Sequence, residues 1–260
     1  MATDPYTAPR SRVADVPTAG SEGNFNPEGQ AVAAGNGWKW IADGWELFKR
    51  QPGTWILLLI AFVLISFLIA LVPVLGSIAS NLLWPVFAGG MILGCRELAQ
   101  GGELAVGHLF AGFRDHFGKL IVIGILYLVV LIVIVVIALA ITGAGIGFGA
   151  LMGGDRGGAE VSVRAILFAA LVALALIIPV VMAAWFAPTL VVLNDLGVGD
   201  AIKASFWACL KNIVPFLVYG LIGLGLAILA SIPLGLGWLV LGPTLAASVY
   251  TAYRDIFYTS

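Results

Sequence analysis

This chain of 260 residues is 61% hydrophobic and only 10% charged, with a formal net charge of -1 at pH 7. A soluble domain usually carries about 25% charged residues, so the composition excludes an ordinary soluble fold and predicts an integral membrane protein. The balanced charge offers no basic surface for nucleic acid. Cys95 and Cys209 are too few for a disulfide framework, and we expect both to be free thiols.

Residues 1–37 are rich in Gly, Pro, Ala and Asn, and they lack the apolar core of a signal peptide. This composition predicts a disordered cytoplasmic tail. The transmembrane domain is then expected over residues 38–260. It opens with Trp38, Ile41, Trp45 and Phe48, whose spacings of three and four residues predict a helix with one aromatic face. We interpret this helix as lying in the headgroup layer of the bilayer.

Six apolar stretches follow, and each is close to the roughly 20 residues that are needed to cross a bilayer. Their predicted bounds are Trp55–Val72, Ser77–Gly94, Leu120–Thr142, Ala165–Leu193, Ile213–Ser231 and Leu234–Tyr253. None of them contains Asp, Glu, Lys, Arg or His. Because ionisable residues in spans mark proton relays and ion pathways, their absence argues against a proton-coupled pump. The fold class predicted is an all-α polytopic bundle of about six spans in three hairpins.

The positive charges predict the orientation of these spans. All but two of the 13 Lys and Arg residues lie before the first span, between the second and third, between the fourth and fifth, or after the last. Only Arg156 and Arg164 fall on the opposite side. Cytoplasmic loops carry the excess of positive charge, so both termini are predicted to be cytoplasmic.

Two further segments mix aromatic, apolar and charged residues as the first helix does, namely residues 104–119 and 201–212. Each is followed by a span, which predicts three units at residues 38–99, 104–195 and 198–256. Every unit would consist of an interfacial amphipathic helix and a transmembrane hairpin. Pro85 precedes Arg96 by the same 11 positions that separate Pro243 from Arg254, which favours a true repeat.

The segment GWKWIADGWELFKRQPGTW, residues 37–55, resembles the opening of an uncharacterised family of bacterial inner-membrane proteins. The stretches PVFAGGM (residues 85–91) and HLFAGF (residues 108–113) resemble the same family, and the resemblance extends over residues 30–255. It implies a multi-pass protein of the bacterial inner membrane. It implies no activity, so it adds a location and leaves the mechanism open.

Polar and aromatic residues at the predicted cytoplasmic rim are the candidates for function. They are Trp38, Trp40, Trp45, Arg96, Glu97, His108, Arg114, Asp115 and Arg254. On one helix, His108 and His116 would stand about 12 Å apart along the axis, too far to share a metal ion. No nucleophile is paired with a base. We therefore predict no catalytic residue, no metal site and no cofactor.

The main hypothesis is a non-enzymatic bundle that contacts lipids or other membrane proteins. A first alternative is a channel or facilitator for an uncharged or lipid-like solute, which a water-accessible path would favour and a dry core would exclude. A second alternative is a membrane enzyme that works at the rim. That alternative requires a cluster around His108 and Asp115 that reaches across from another unit.

Overall fold

The computed structural model of the chain describes residues 23–152 and 155–259, most of which are helical. The helices of this part are α1 (Asn36–Arg50), α2 (Pro52–Ala70), α3 (Leu75–Ala99), a 3₁₀ helix (Val106–Phe113), α4 (Phe117–Met152), α5 (Asp155–Trp185), α6 (Ala187–Asn194), α7 (Val198–Lys211), α8 (Ile213–Ser231) and α9 (Trp238–Phe257). Two short strands, β1 (Asn24–Phe25) and β2 (Tyr258–Thr259), lie at the ends. The all-α polytopic architecture is thus confirmed.

Five stretches of the described chain are long and apolar enough to cross a membrane. They are Pro52–Ala70, Leu75–Ala99, Phe117–Gly147, Val163–Asn194 and Ile213–Ser231, which correspond to the first five predicted spans. The sixth predicted span falls in α9, which begins only at Trp238 and buries the polar residues Thr244 and Ser248. A helix covered by other helices need not be apolar all round, so α9 carries a weaker hydropathy signal.

The two ends of the described chain lie side by side. β1 pairs antiparallel with β2, with Asn24 opposite Thr259 and Phe25 opposite Tyr258. A chain that returns to its starting end must pass along the bundle an even number of times. The passes are α2, α3, α4, α5 with α6, α8 and α9, so α9 is the sixth pass even though its hydropathy does not mark it as a span.

The passes are joined in three hairpins. Between α2 and α3 the turn is so tight that a Cβ on Gly76 would overlap the carbonyl oxygen of Ile69. Between α8 and α9 both Leu234 and Gly235 adopt positive φ angles, of 54° and 80°. In the middle hairpin α4 packs along α5, and α6 completes the return.

The break between α5 and α6 is satisfied by a side chain from α7. Pro188 in the first turn of α6 has no backbone N–H to continue the helical pattern. The Phe186 N–H donates instead to Ser205 Oγ at 2.9 Å, and that hydroxyl donates to the Met182 carbonyl at 2.7 Å. Freed backbone groups in a span are tolerated when a neighbouring helix pairs them, and Ser205 performs this role.

The short helices pack in a cyclic order. Helix α1 lies mainly against α8 and α9 of the third hairpin, the 3₁₀ helix lies against α3 of the first, and α7 lies against α5 and α6 of the second. Each short helix therefore covers the hairpin of the preceding unit, and α1 closes the circle. Close approach depends on glycine: a Cβ on Gly37 would overlap the Pro215 carbonyl of α8.

Some helices of the bundle form its interior and others form its surface. Helices α3, α6 and α9 carry long runs of buried residues and occupy the centre. Helices α2, α4, α5 and α8 turn Leu, Ile, Val and Phe side chains outward, and many of these are more than half exposed. An outer layer of exposed apolar side chains suits contact with acyl chains, as expected of a membrane protein.

The helix predicted over residues 104–119 is present, but it is shorter and of a different type. The segment forms a 3₁₀ helix over Val106–Phe113, and α4 begins at Phe117. Glycine at positions 107, 112 and 118 lowers helix propensity. Gly112 also presses its backbone against the Val86 carbonyl of α3, where a Cβ would overlap. By contrast, α1 and α7 confirm the helices predicted before the first and fifth spans.

The expected disordered tail differs from the structure over residues 23–35, whereas residues 1–22 lie outside the described residues. The Asn26 and Gln30 N–H groups donate to the Phe257 and Ile256 carbonyls, both at 2.8 Å. Asn212, fully buried between α7 and α8, accepts from the Val32 N–H at 2.8 Å through Oδ1. Its Nδ2 donates to the Gln30 carbonyl at 2.9 Å. The segment thus packs against the ends of α7 and α9.

The Asn212→Ala variant tests this anchorage. It leaves the Val32 N–H and the Gln30 carbonyl without their partner, and an unsatisfied buried polar group costs about 1–3 kcal/mol. We expect a lower thermal unfolding midpoint in detergent and faster proteolysis within residues 23–35. Asn24→Ala, at an exposed position, should change neither measurement, and equal behaviour of the two variants would contradict the anchoring role.

Candidate functional site

Polar side chains gather at one end of the bundle, which we call the polar end and define by Arg50, Lys119, Asn194, Asn212 and Asp255. One hydrogen bond that joins helices here ends on a backbone carbonyl. Arg50 Nη1 donates to the Leu98 carbonyl at 2.8 Å, which joins the start of the first hairpin to its end. Such ties position helices relative to one another.

Asp255, near the end of α9, joins the first and last units. Its Oδ2 accepts from Trp40 Nε1 at 2.8 Å and from Asn36 Nδ2 at 2.7 Å. The Asp255 carbonyl also accepts from Gln30 Nε2 at 2.9 Å. Trp40 is fully buried, so its indole N–H depends on this carboxylate for a partner.

Another tie joins α6 to α9. The Tyr253 hydroxyl donates to Asn194 Oδ1 at 2.5 Å, and Asn194 Nδ2 donates to the Tyr258 hydroxyl at 3.2 Å. A further tie joins α4 to the residue after α6: Lys119 Nζ lies 2.6 Å from Asp195 Oδ1 and holds the pKa of that carboxyl below its usual range. Asp195 is exposed, so this ion pair adds little stability.

The three tryptophans proposed for the headgroup layer divide into two groups. Trp38 and Trp45 are 53% and 40% exposed, as an interfacial position requires. Trp40 has no exposed surface and packs against Phe216 and Tyr219 of α8. Its predicted place at the interface is therefore wrong, because α1 turns that side toward the third hairpin.

The rim residues predicted around His108 do not converge. His108 Nδ1 accepts from the Ala105 N–H at 3.0 Å, within its own turn. Arg114 and Asp115 are exposed in the connection before α4. His116 Nδ1 lies 3.8 Å from Asp195 Oδ1, which belongs to the same unit. Within residues 23–152 and 155–259, no group of three or more His, Cys, Asp or Glu could hold a metal ion.

The remaining predicted rim residues also lie near helix ends. Arg96 is half-buried and Glu97 exposed in the last turn of α3, where the Glu97 side chain lies beside Gly102. Arg254 places its guanidinium 4.0 Å from the centre of the Tyr258 ring. This cation–π contact fastens the end of α9 to β2.

Beside Asp255 lies an open, polar depression of about 480 Å³. It is lined by Gly23, Gln30, Lys39, Asp43, Thr251, Arg254, Asp255, Tyr258 and Thr259. Burial raises the pKa of Asp43, an effect that Lys39 opposes. The depression thus holds two carboxylates and two cations, whose charges balance within it.

Neither cysteine is placed for chemistry. Cys95 and Cys209 are both buried and unbridged, which confirms the expected free thiols. Burial raises the pKa of the Cys209 thiol to about 12. Because the thiolate is the reactive form, this thiol is inert at neutral pH.

A second cavity lies at the centre of the bundle and has the opposite character. It measures about 290 Å³ and is lined from all three hairpins. Its lining residues are Trp84, Pro85, Ala88, Met91, Ile92, Ile123, Tyr127, Val181, Ala184, Trp185, Pro188, Thr189, Ala246 and Val249. None of them is Asp, Glu, Lys, Arg or His. This cavity, which we call the central cavity, suits a neutral and mostly apolar molecule.

The central cavity adjoins an apolar groove of about 310 Å³ between α4, α5 and α7. The two share Ile123, Tyr127 and Ala184 in their linings. Leu126 and Val130 at the groove are exposed on the outer face of α4. The groove therefore leads from the surface of the bundle to the wall of the central cavity.

Sequence reasoning missed the residues that tie the units together. Asn36, Asn194 and Asn212 have short amide side chains at helix ends, where such residues commonly pair backbone or side-chain groups. Their position at helix ends indicates that they pair polar groups and so have a structural role. Asp255 carries no such local signal, because its partner Trp40 lies 215 residues away in the sequence.

These features define a multi-span α-helical membrane protein with one polar end and a central apolar cavity. The chain belongs to the family described as a domain of unknown function, DUF7847, whose profile matches residues 45–255. The expected uncharacterised family is thus confirmed. The match begins inside the aromatic opening and does not cover its first residues, 37–44.

A protein of Burkholderia thailandensis named probable inner membrane protein BTH_II0599 is similar to this chain. The two are 33% identical over 227 residues, which cover 84% of this chain and 82% of the relative. No solved structure matches significantly. The comparisons therefore support an integral membrane protein, and they assign no activity.

The Asp255→Ala variant tests the tie between the first and last units. It leaves the buried Trp40 N–H without an acceptor, which should cost about 1–3 kcal/mol and lower the unfolding midpoint in detergent. Adding Trp40→Phe removes the stranded donor, so the double variant should lose less than the two single variants together. Asp115→Ala, at an exposed carboxylate, is the control, and an equal loss there would contradict the assignment.

Proposed function

We propose that this chain is a non-enzymatic protein of the bacterial inner membrane that acts by contacting lipids or other membrane proteins. One observation carries the proposal: the polar side chains at the polar end, above all Asp255, Asn194 and Asn212, are engaged in hydrogen bonds between helices. Groups that hold helices together are not poised to bind and transform a substrate. The outward apolar side chains of α2, α4, α5 and α8 are the surface left for contact.

The enzyme alternative finds no support in the described part of the chain. It required His108 and Asp115 to meet residues of another unit, whereas His108 bonds within its own turn and Asp115 is exposed. The second candidate function, a facilitator for an uncharged or lipid-like solute, is favoured by the central cavity. Its apolar lining argues for a hydrophobic solute over water or ions.

The cyclic packing supports the proposal that the chain consists of three parallel units, each beginning at the polar end. α1, the 3₁₀ helix and α7 each cover the hairpin of the preceding unit. The unit boundaries at residues 38–99, 104–195 and 198–256 remain part of this proposal. The lysine and arginine residues at the polar end, together with the pairing of β1 and β2, support two cytoplasmic termini.

Reporter fusions test the orientation. Alkaline phosphatase, which is active only outside the cytoplasm, should be inactive when fused to the C-terminus and active when inserted at Asp155. A fluorescent protein that folds only in the cytoplasm should give the reverse pattern. The same result at both positions would contradict an even number of crossings with cytoplasmic ends.

Co-purification tests the function. The full-length protein, extracted in a mild detergent, should retain particular lipids or membrane proteins that are enriched over their share of the membrane. Mass spectrometry of the intact complex measures this enrichment, and an unrelated six-span protein prepared identically is the control. Equal lipid and protein content in both preparations would overturn the contact function.

A further inference from the structure

The central cavity lies within reach of one leaflet. At 1.5 Å per helical residue, Val249 and Ala246 stand about 9 and 14 Å from Asp255 along α9, and Ile123 stands about 6 Å from Lys119 along α4. Charged residues keep the polar end out of the hydrocarbon, whose full thickness is about 30 Å. The cavity therefore falls in the half of the hydrocarbon layer next to the polar end.

The lining of the cavity selects for an acyl chain over a polar solute. The only N–H or O–H groups on its lining side chains belong to Trp84, Tyr127, Trp185 and Thr189, and none of the lining side chains is ionised at neutral pH. A volume of about 290 Å³ is just below the range of about 300–1,000 Å³ that ligand pockets occupy. It accommodates a single hydrocarbon chain and excludes a whole phospholipid with its headgroup.

The neighbouring groove supplies a path from the bilayer. Tyr127 and Ala184 belong to both linings, so they form the boundary between groove and cavity. The groove lies beside α7, whose Ile202 and Phe206 complete its wall near the polar end. A lipid with its headgroup at the polar end would meet this groove with its chains.

We propose that the central cavity binds one acyl chain of a membrane phospholipid, which reaches it from the groove between α4, α5 and α7 by passing Tyr127 and Ala184. The inference rests on the proposed lipid contact and gives that contact a defined place. The occupant is an acyl chain because the space lies in the hydrocarbon layer, lacks ionisable groups and borders an outward apolar surface.

Photochemical labelling tests the inference. The full-length protein is reconstituted in phosphatidylethanolamine and phosphatidylglycerol vesicles that contain a phospholipid with a diazirine in the middle of one chain. After irradiation, peptides are mapped by mass spectrometry. Label is expected on Pro188 and Thr189, which are buried and out of reach of the bilayer around the bundle. If neither Pro188 nor Thr189 of the wild-type protein carries label, the inference is overturned.

Leucine substitutions at three alanine positions test whether the labelling of Thr189 depends on the central cavity. Ala88→Leu fills the cavity and should lower the labelling of Thr189 several-fold, and Ala246→Leu, from the opposite wall, should do the same if Ala88→Leu does not fold. Ala175→Leu places the same side chain on the exposed face of α5 and should leave that labelling unchanged. Equal labelling of Thr189 in all variants overturns the assignment to the cavity.

The outcome is separable from that of the proposed function. Label confined to outward residues of α2 and α8 would remove the cavity site and leave lipid contact by the surface in place. Conversely, label on Thr189 without enrichment of any lipid or protein on purification would leave an acyl-chain site in a protein whose action lies elsewhere.

Discussion

The arrangement of the bundle depends on the contact between its first helix and its last. Trp40 of α1 donates to Asp255 of α9 across 215 residues of sequence. Bringing such distant segments together costs chain entropy, which the packing of α1 against α8 and α9 must offset. Gly37 and Gly44 make that packing possible, because a side chain at either position would overlap the backbone of α8 or α9. Without this contact the cyclic order of the three short helices would remain open.

A membrane bundle must pair every polar group that it places away from water. This protein meets most of the constraint by segregation: carboxylates, cations and most amides collect at one end, while the passes are mainly apolar. Trp185 Nε1, by contrast, is buried without a hydrogen-bond partner among the residues that the structure describes. Within the passes, one freed backbone group lies at the break before Pro188, where Ser205 of α7 supplies the missing partner. Because α7 belongs to the following unit, even this local repair depends on contact between units. Polar side chains at the polar end therefore act first as connections.

Features that depend on local composition, such as the apolar spans, could be predicted from the sequence. Features that depend on contacts between distant segments, such as the burial of a side chain, could not. Long apolar runs identified the first five spans, since hydropathy alone marks a helix that faces lipid. The burial of Trp40 was not predictable, because Trp40 lies off the aromatic face of α1 and local periodicity does not show which side of a helix other helices cover. Residues 23–35 have the composition of a tail, and only their bonds to α7 and α9 order them. Residues 104–119 suited a helix by pattern, and packing of Gly112 on α3 favoured a 3₁₀ helix.

The central cavity exists only while the cyclic packing of the three units is closed by the contact between α1 and α9. Its wall combines Ala88 of the first hairpin, Ala184 of the second and Ala246 of the third, three small side chains that leave space where larger ones would fill it. A space lined by three units exists only while those units hold their places. Asp255 lies in α9, nine residues beyond Ala246, so the helix that closes the ring also forms one wall of the cavity. Closure at the polar end and the shape of the apolar interior are therefore set by the same helix.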